Sequence, residues 1–362
     1  MFTLGTHFNE LLKNIRPPDD RIEAAVELPA KVRDYLRTHQ DFATCAPHSR
    51  LAGSYAQNMS ACDVKDVDFL VRIPGDPEAC DPAPRKVIRD LANVLEELPD
   101  ALGYEGGFAE VDVERARRSV HVYLPSEDFH LDAVPCIAPD GFDEPLWVPD
   151  RGWNKWVLSH PLGYVRLLNE LNKEHGEKVK PLGRLLKHFR NVQMKSRKPK
   201  SYWLGVLLVQ CVDCEDGLDT RKSLAELFHD LLAAVYEQYD HLLWTSDTVT
   251  PNLSDPMLGH NVSWNWSRTH FQTFMARVKD GRDLANQALN AGDRATAIEK
   301  WQKVFGEEYF PLDVSAAAKT QAEYGWPNKA SVCATGIITR SPAASVLATP
   351  ILATKFHGSS DG

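Results

Sequence analysis

Leu51-Ala-Gly-Ser-Tyr-Ala56 and, shortly after it, Lys65-Asp-Val-Asp-Phe-Leu-Val71 form the stretch from which the rest of this chain can be read. In Asp66-Val-Asp-Phe-Leu-Val-Arg-Ile73, the residues Val67, Phe69, Val71 and Ile73 alternate with the others, the period of a strand with one apolar face. Asp66 and Asp68 therefore share the opposite face. Two carboxylates so placed repel each other, and each is stabilised by a cation nearby. Upstream, Gly53 permits close approach of the backbone to a phosphate, and Ser54 offers a hydroxyl and a main-chain N–H. An Asp-x-Asp alone also fits an edge strand guarded against aggregation. The Gly-Ser turn ahead of it favours a site in which the turn holds a triphosphate and the strand holds metal ions.

Composition bounds the partners. The chain has 362 residues, enough for about two domains, and its 43% hydrophobic and 25% charged content is that of a soluble globular protein. A formal net charge of -9 disfavours stable binding of long DNA or RNA, which calls for a basic face, but leaves room for small nucleotides in a local basic pocket. No apolar run approaches the roughly eighteen residues of a membrane helix. The opening Met1-Phe-Thr-Leu-Gly-Thr-His-Phe8 lacks the basic start and apolar core of a signal peptide, so a cytoplasmic protein without a membrane partner is expected. Seven scattered cysteines, with only Cys211 and Cys214 close together, read as reduced thiols.

Helical spacing of Phe8, Leu11, Leu12 and Ile15 ends at Pro17-Pro18, and Asp19-Asp20 reads as the cap of a second helix carrying Ile22 to Leu36. Residues 86–98 form another helix. A hairpin follows, with Val120, Val122 and Leu124 alternating with His121 and Tyr123, a turn at Pro125-Ser-Glu-Asp128, and a returning strand Phe129-His-Leu-Asp-Ala-Val-Pro135. Asp132 stands on that strand as a lone carboxylate, costly to bury without a partner. A metal held by Asp66 and Asp68 would be that partner. From Trp156 the character turns helical, with helices over 162–171, 181–192, 202–212 and 223–239, a later one marked by Phe271, Phe274 and Val278, and a last one capped by Asp293. The division expected is 1–155 for a catalytic core with N-terminal helices, 156–312 for a helical domain and 313–362 for a flexible tail.

Three carboxylates on neighbouring strands suit two Mg2+ ions about 3.5–4 Å apart, with Mn2+ able to substitute. One ion would steady the triphosphate and its leaving pyrophosphate; the other would lower the pKa of an attacking ribose hydroxyl. In Pro181-Leu-Gly-Arg-Leu-Leu-Lys-His-Phe-Arg190, the spacing of Arg184, Lys187 and His188 gathers basic groups on one side of a helix, either as phosphate ligands or as a solvated face. Ser201 and Tyr202 open the next helix. There a hydroxyl and unpaired N–H groups could hold phosphate, and Tyr202 either stacks on a base or packs in the core.

Gly53-Ser54, Asp66-Val-Asp68, His130-Leu-Asp132-Ala-Val-Pro135, Leu185-Leu-Lys187 and Ser201-Tyr202-Trp-Leu204 together resemble the ordered motifs of the cGAS/DncV-like nucleotidyltransferases, the bacterial CD-NTases. The likeness covers roughly residues 5 to 310 and includes His7-Phe-Asn-Glu-Leu-Leu12 and the Val148-Pro-Asp-Arg151 block. It implies an α+β fold, a polymerase-beta-like core with a C-terminal helical domain and the active site in the cleft between them. It also implies metal binding by Asp66, Asp68 and Asp132, triphosphate contacts from Gly53, Ser54, Lys187 and Ser201, and base stacking by Tyr202. The activity implied is the joining of nucleoside triphosphates, ATP among them, into a cyclic di- or trinucleotide that switches on an antiphage effector. No zinc cluster for gripping DNA is present. The chain closes on Ser-Ser-Asp-Gly362, as would a substrate that an E1/E2-like partner conjugates through its last residue. The rival readings are a nucleotidyltransferase acting on a protein, a drug or an RNA end, and a non-catalytic nucleotide-binding regulator. The missing basic face argues against the RNA-end version and the three carboxylates against the regulator.

Overall fold

A computed structural model describes residues 2–57, 59, 66–98, 110–112, 117–124, 129–215, 217–245, 250–263, 266–314, 331–332 and 338–339. At residues 19–24, 26, 54–55, 66, 110–112, 124, 129, 331–332 and 338–339 the description is of the backbone.

The alternating run at residue 66 forms β2 (Asp66–Arg72), placed between β1 (Ser49–Leu51) and β5 (Phe129–Cys136) in a five-stranded sheet. With β3 (Glu110–Asp112) and β4 (Val120–Leu124), the order is β1-β2-β5-β4-β3. β2 and β5 run parallel, and every other pairing in this sheet is antiparallel. One face is covered. Val67, Phe69 and Val71 of β2, Val120 and Val122 of β4, and Leu131 and Ala133 of β5 are buried there with residues of two helices. Those helices are α2 (Asp19–Thr38), through Leu28, Val32 and Leu36, and α4 (Pro84–Glu96), through Val87, Ile88, Leu91 and Leu95. The hydroxyl of Tyr35 on α2 donates to the Val94 carbonyl of α4 at 3.0 Å, tying the two together. The opposite face carries the carboxylates at one end, while at the other Leu70, Val134 and Cys136 pack with Phe142, Leu146 and Val148. A single helical turn, α3 (Gly53–Ala56), links β1 to the segment leading back into β2.

The second half is helical: α5 (Pro161–Glu174), α6 (Val179–Gln193), α7 (Ser201–Val212), α8 (Leu224–Tyr239), α9 (Arg268–Leu289) and α10 (Arg294–Phe305). Each expected helix is present; Asp293 caps the last as expected, whereas Asp19 and Asp20 lie inside α2, which starts after Pro18 with no side-chain cap. Ser223 and Glu226 form a capping box on α8, and the Asp293 carboxylate accepts from the Thr296 N–H at 2.8 Å on α10. No helix among the described residues is long and apolar enough to cross a membrane.

Two features depart from the expected division. Residues 155–159 are not the start of the helical half but β7 (Lys155–Ser159), the partner of β6 (Leu146–Asp150). Trp156 packs into the sheet-side core and its indole N–H donates to the Pro82 carbonyl at 3.0 Å. A boundary at 155/156 therefore cuts a hairpin. The first helix, α1 (Gly5–Asn14), also belongs elsewhere: Phe8, Leu11 and Leu12 join the helical core, with Phe8 edge-on to Trp301 at a ring separation of 4.9 Å. The short hydrophobic run at 156 and the amphipathic helix at 5 each show which residues seek burial. Neither shows against which half. Of the segment read as a tail, β8 (Ser331–Val332) and β9 (Ile338–Thr339) form a small antiparallel pair, while the end with Gly362 lies outside the described residues, as does the turn at 125–128.

One more contact joins the halves. Met59, in the segment after α3, is buried in the helical core and sits over Gly183 of α6, where a Cβ would fall on the Met59 methyl and within 2.9 Å of Leu208. Gly183→Ala is expected to lower stability by about 1–3 kcal/mol through overpacking. Met59→Ala in the same chain should recover part of that loss, as read by denaturant titration of both single variants and the double.

Candidate active site

The active face is set by register. Parallel pairing places Asp66 opposite His130 and Asp68 opposite Asp132. Because Val67, Leu131 and Ala133 turn into the core, Asp68 and Asp132 stand side by side on the open face. Across β5, antiparallel pairing sets His121 of β4 opposite Asp132, and its Nδ1 meets Asp132 Oδ1 in a close hydrogen bond. Asp132 is thus not a lone carboxylate: His121 on the neighbouring strand is one of its partners. In the next row His130 stacks on Tyr123 with ring centroids 4.4 Å apart.

Gly53 closes the site from the other side. It has φ +65°, and a Cβ there would coincide with the Asp68 carboxylate. The neighbouring Ala52 N–H donates to the Asp68 carbonyl at 2.9 Å, so the turn and the strand are locked backbone to backbone. Only glycine satisfies both the left-handed conformation and the close approach.

The cations come from α6. Arg184, Lys187 and His188 are all buried, which removes the solvated-face reading. His188 turns away from the cleft and pairs through Nε2 with the Phe305 carbonyl at 2.9 Å. Lys187 is held from its ordinary 10.5 down to about 7, first by burial and then by Arg190 and Arg184, while Asp68 acts in the opposite sense. That opposing effect brings the helix and the carboxylate row into one field. Burial, and then Arg16, push Arg184 down to about 10.

Arg190 extends the row to the next helix. One guanidinium nitrogen, Nη1, donates to the Pro199 carbonyl at 2.9 Å and to Ser201 Oγ at 3.1 Å, placing Ser201 at the start of α7. No side chain caps that helix start. Tyr202 is partly buried against the helical core; its hydroxyl donates to Asp255 Oδ2 at 2.9 Å and its ring lies edge-on to Tyr164 at 5.0 Å. Burial and Asp255 push the Tyr202 hydroxyl pKa up. These are the contacts of a packed aromatic held in a fixed orientation.

The structure therefore brings together Gly53, Asp68, Asp132 and Lys187, with Ser201 linked through Arg190. The Ser54 and Asp66 side chains, and Gly362, lie outside what is described. Among the described residues, no three His, Cys, Asp or Glu side chains converge as a metal cage. Asp68 and Asp132 nonetheless fit a hard divalent cation: adjacent, oxygen-bearing and on rigid strands. His121, Arg190 and Asp255 went without a role in the sequence reading. Each acts through a partner distant in the chain, a relation that neither periodicity nor local spacing expresses.

Two outcomes test this geometry. Gly53→Ala should leave the melting temperature within a few degrees yet reduce nucleotidyl transfer at least about a hundredfold, because its Cβ displaces the Asp68 carboxylate. For Lys187, the unfolded chain keeps its proton up to about 10.5 and the folded chain only to about 7, so the unfolded state binds more protons between those values. Stability attributable to this group therefore rises with pH across that window. Lys187→Met should be more stable than the wild type at pH 7 and below, with the gap closing toward pH 10 in denaturant titrations.

Comparison with known proteins agrees with this layout. Residues 2–172 match the family model of the Second Messenger Oligonucleotide or Dinucleotide Synthetase domain. The cyclic AMP-AMP-AMP synthase of Acinetobacter sp. (strain ATCC 27244 / 9458) is 26% identical over 337 residues, covering 89% of this chain and 90% of that protein. The structure of CdnC from Escherichia coli MS115-1 with ATP has a TM-score of 0.63 at 20% identity, over 84% of this chain and 98% of the other. That of the Bradyrhizobium diazoefficiens CD-NTase CdnG with GTP gives 0.63 at 16% identity, over 87% and 97%. The matched domain, the relative aligned along most of the chain and the shared α+β fold support reading this chain as a bacterial CD-NTase, a nucleotidyltransferase with the polymerase-beta-like core of its structural neighbours.

Proposed function

We propose that the chain is a Mg2+-dependent synthase that joins nucleoside triphosphates into a cyclic di- or trinucleotide, releases pyrophosphate and signals to an antiphage effector. The observation that supports this reading is the in-register pairing of Asp68 with Asp132 beside Gly53, with Lys187 in the field of Asp68. On this reading the sheet half is the catalytic core, the helical half forms the far wall, and the protein works in the cytoplasm. ATP is the first substrate to test, since the relative aligned over most of the chain is named for a product made from AMP units alone.

Asp66, Asp68 and Asp132 would hold two Mg2+ ions, with Mn2+ as a substitute. When bound, the ions neutralise charge on the triphosphate and lower the pKa of the attacking ribose hydroxyl. The chain's own residues bind and orient. Gly53 and Ser54 present backbone N–H groups and a hydroxyl to the phosphates. Lys187 loses affinity for its proton through burial, and an entering triphosphate reverses that by placing negative charge nearby, so the lysine charges as the nucleotide docks. Ser201 adds a hydroxyl and an uncapped helix start. Tyr202, fixed by Asp255 and Tyr164, offers its remaining exposed surface to a base.

The test is incubation with each labelled triphosphate and with all four, in Mg2+, followed by phosphatase. A phosphatase-resistant product labelled from ATP is expected. Asp132→Asn should abolish it while sparing binding of one donor nucleotide; equal loss of both in a folded variant would remove Asp132 from the nucleophile's end of the site. No resistant product with either Mg2+ or Mn2+ overturns the synthase reading.

A further inference from the structure

We propose that His121 is a positioning residue for the transfer reaction: its Nδ1–H holds one oxygen of Asp132 and leaves the other turned to the cation and the attacking hydroxyl. The inference rests on reading Asp132 as a metal ligand. The geometry that carries it is the transverse row Asp68–Asp132–His121 across β2, β5 and β4, in which all three positions fall on the open face. An ionised carboxylate only accepts, so the hydrogen of the His121–Asp132 bond lies on Nδ1.

Two physical consequences follow. Asp68 and Asp132 are neighbours in register, and their repulsion would rotate one of them away when no cation lies between them. A donor on the far side of Asp132 opposes that rotation. The side chains of Asp132 and His121 retain 18% and 35% of their exposure, so the pair opens to the cleft and is not a buried structural bridge. A carboxylate bound on one oxygen presents the other in a fixed direction, and removing such a supporting bond typically weakens metal affinity by about ten- to a hundredfold. Backbone pairing alone fixes where Asp132 stands; His121 fixes which way it faces.

The substitutions separate the donor from the ring. Asparagine places an amide N–H near the position of Nδ1, whereas alanine and valine remove the donor, valine with better strand propensity should alanine unfold the hairpin. The readout is Mn2+ binding to the full-length chain, with a triphosphate analogue whose α,β-bridging oxygen is replaced by carbon, measured from the free-Mn2+ electron paramagnetic resonance signal. His121→Asn should bind within about threefold of the wild type. His121→Ala or His121→Val should bind about ten- to a hundredfold more weakly. In steady-state assays with ATP the same two variants should lose kcat with little change in KM. Wild-type Mn2+ affinity in either donor-less variant, or an asparagine variant as weak as alanine, overturns the inference. Asp132→Asn is the control on its foundation: if that variant binds Mn2+ as the wild type does, the metal-site reading itself fails. If it loses Mn2+ while His121→Ala does not, only the role of His121 fails.

Discussion

The site depends on one arrangement of like charges. Parallel pairing of β2 with β5 forces two carboxylates into adjacent positions on a sheet face, and the apolar residues between them allow no escape by turning the strands over. A one-residue slip of either strand would turn its aspartate into the core and its apolar residues, Val67 or Leu131, out of it. The hydrophobic core beneath therefore specifies the spacing of the charges above it. Around that row, the remaining elements are arranged to relieve it: His121 from one side, Lys187 from across the cleft, and Gly53 by withholding a side chain where Asp68 needs room.

Relief is incomplete in the free protein, and that is informative. Lys187 and Arg184 are buried on a helix with their charged forms disfavoured, a net loss for folding that the large aromatic and leucine core around Trp301, Phe228 and Phe305 offsets. Stability in the helical half thus underwrites an electrostatic mismatch at its surface with the sheet. On the function proposed, a polyanion entering there would meet basic groups already stripped of much of their water. Its binding gains from interactions that the empty protein lacks.

Much of this was legible in the sequence because it is periodic. The apolar alternation around Asp66 set the open face, and the 3.6-residue spacing and caps located the helices. The partner of Asp132 was not: the ladder register that pairs Leu124 with Phe129 also sets His121 opposite Asp132, and alternation along one strand does not fix its register on the next. What spacing could not convey was long-range placement. Nothing local in Met59, α1 or Trp156 tells which core will receive it, and the Tyr202–Asp255 bond joins residues whose separation is set by a loop. Burial of Arg184 was likewise invisible, because a basic stripe on a helix normally faces water.

The placement of α1 has a mechanical meaning. The chain begins in the helical half, crosses to the sheet half through Pro17-Pro18, and returns between β7 and α5. The two links, one of them stiffened by a proline pair, are supplemented by packing of Leu162 on the sheet-side cluster of Ala52, Leu70 and Val148 and by the Arg166–Asp143 ion pair. Met59 adds an attachment on the segment following α3, so a change of angle between the halves would pull on the Gly53 turn. The packing of the helical half and the backbone geometry of that turn would then answer to each other.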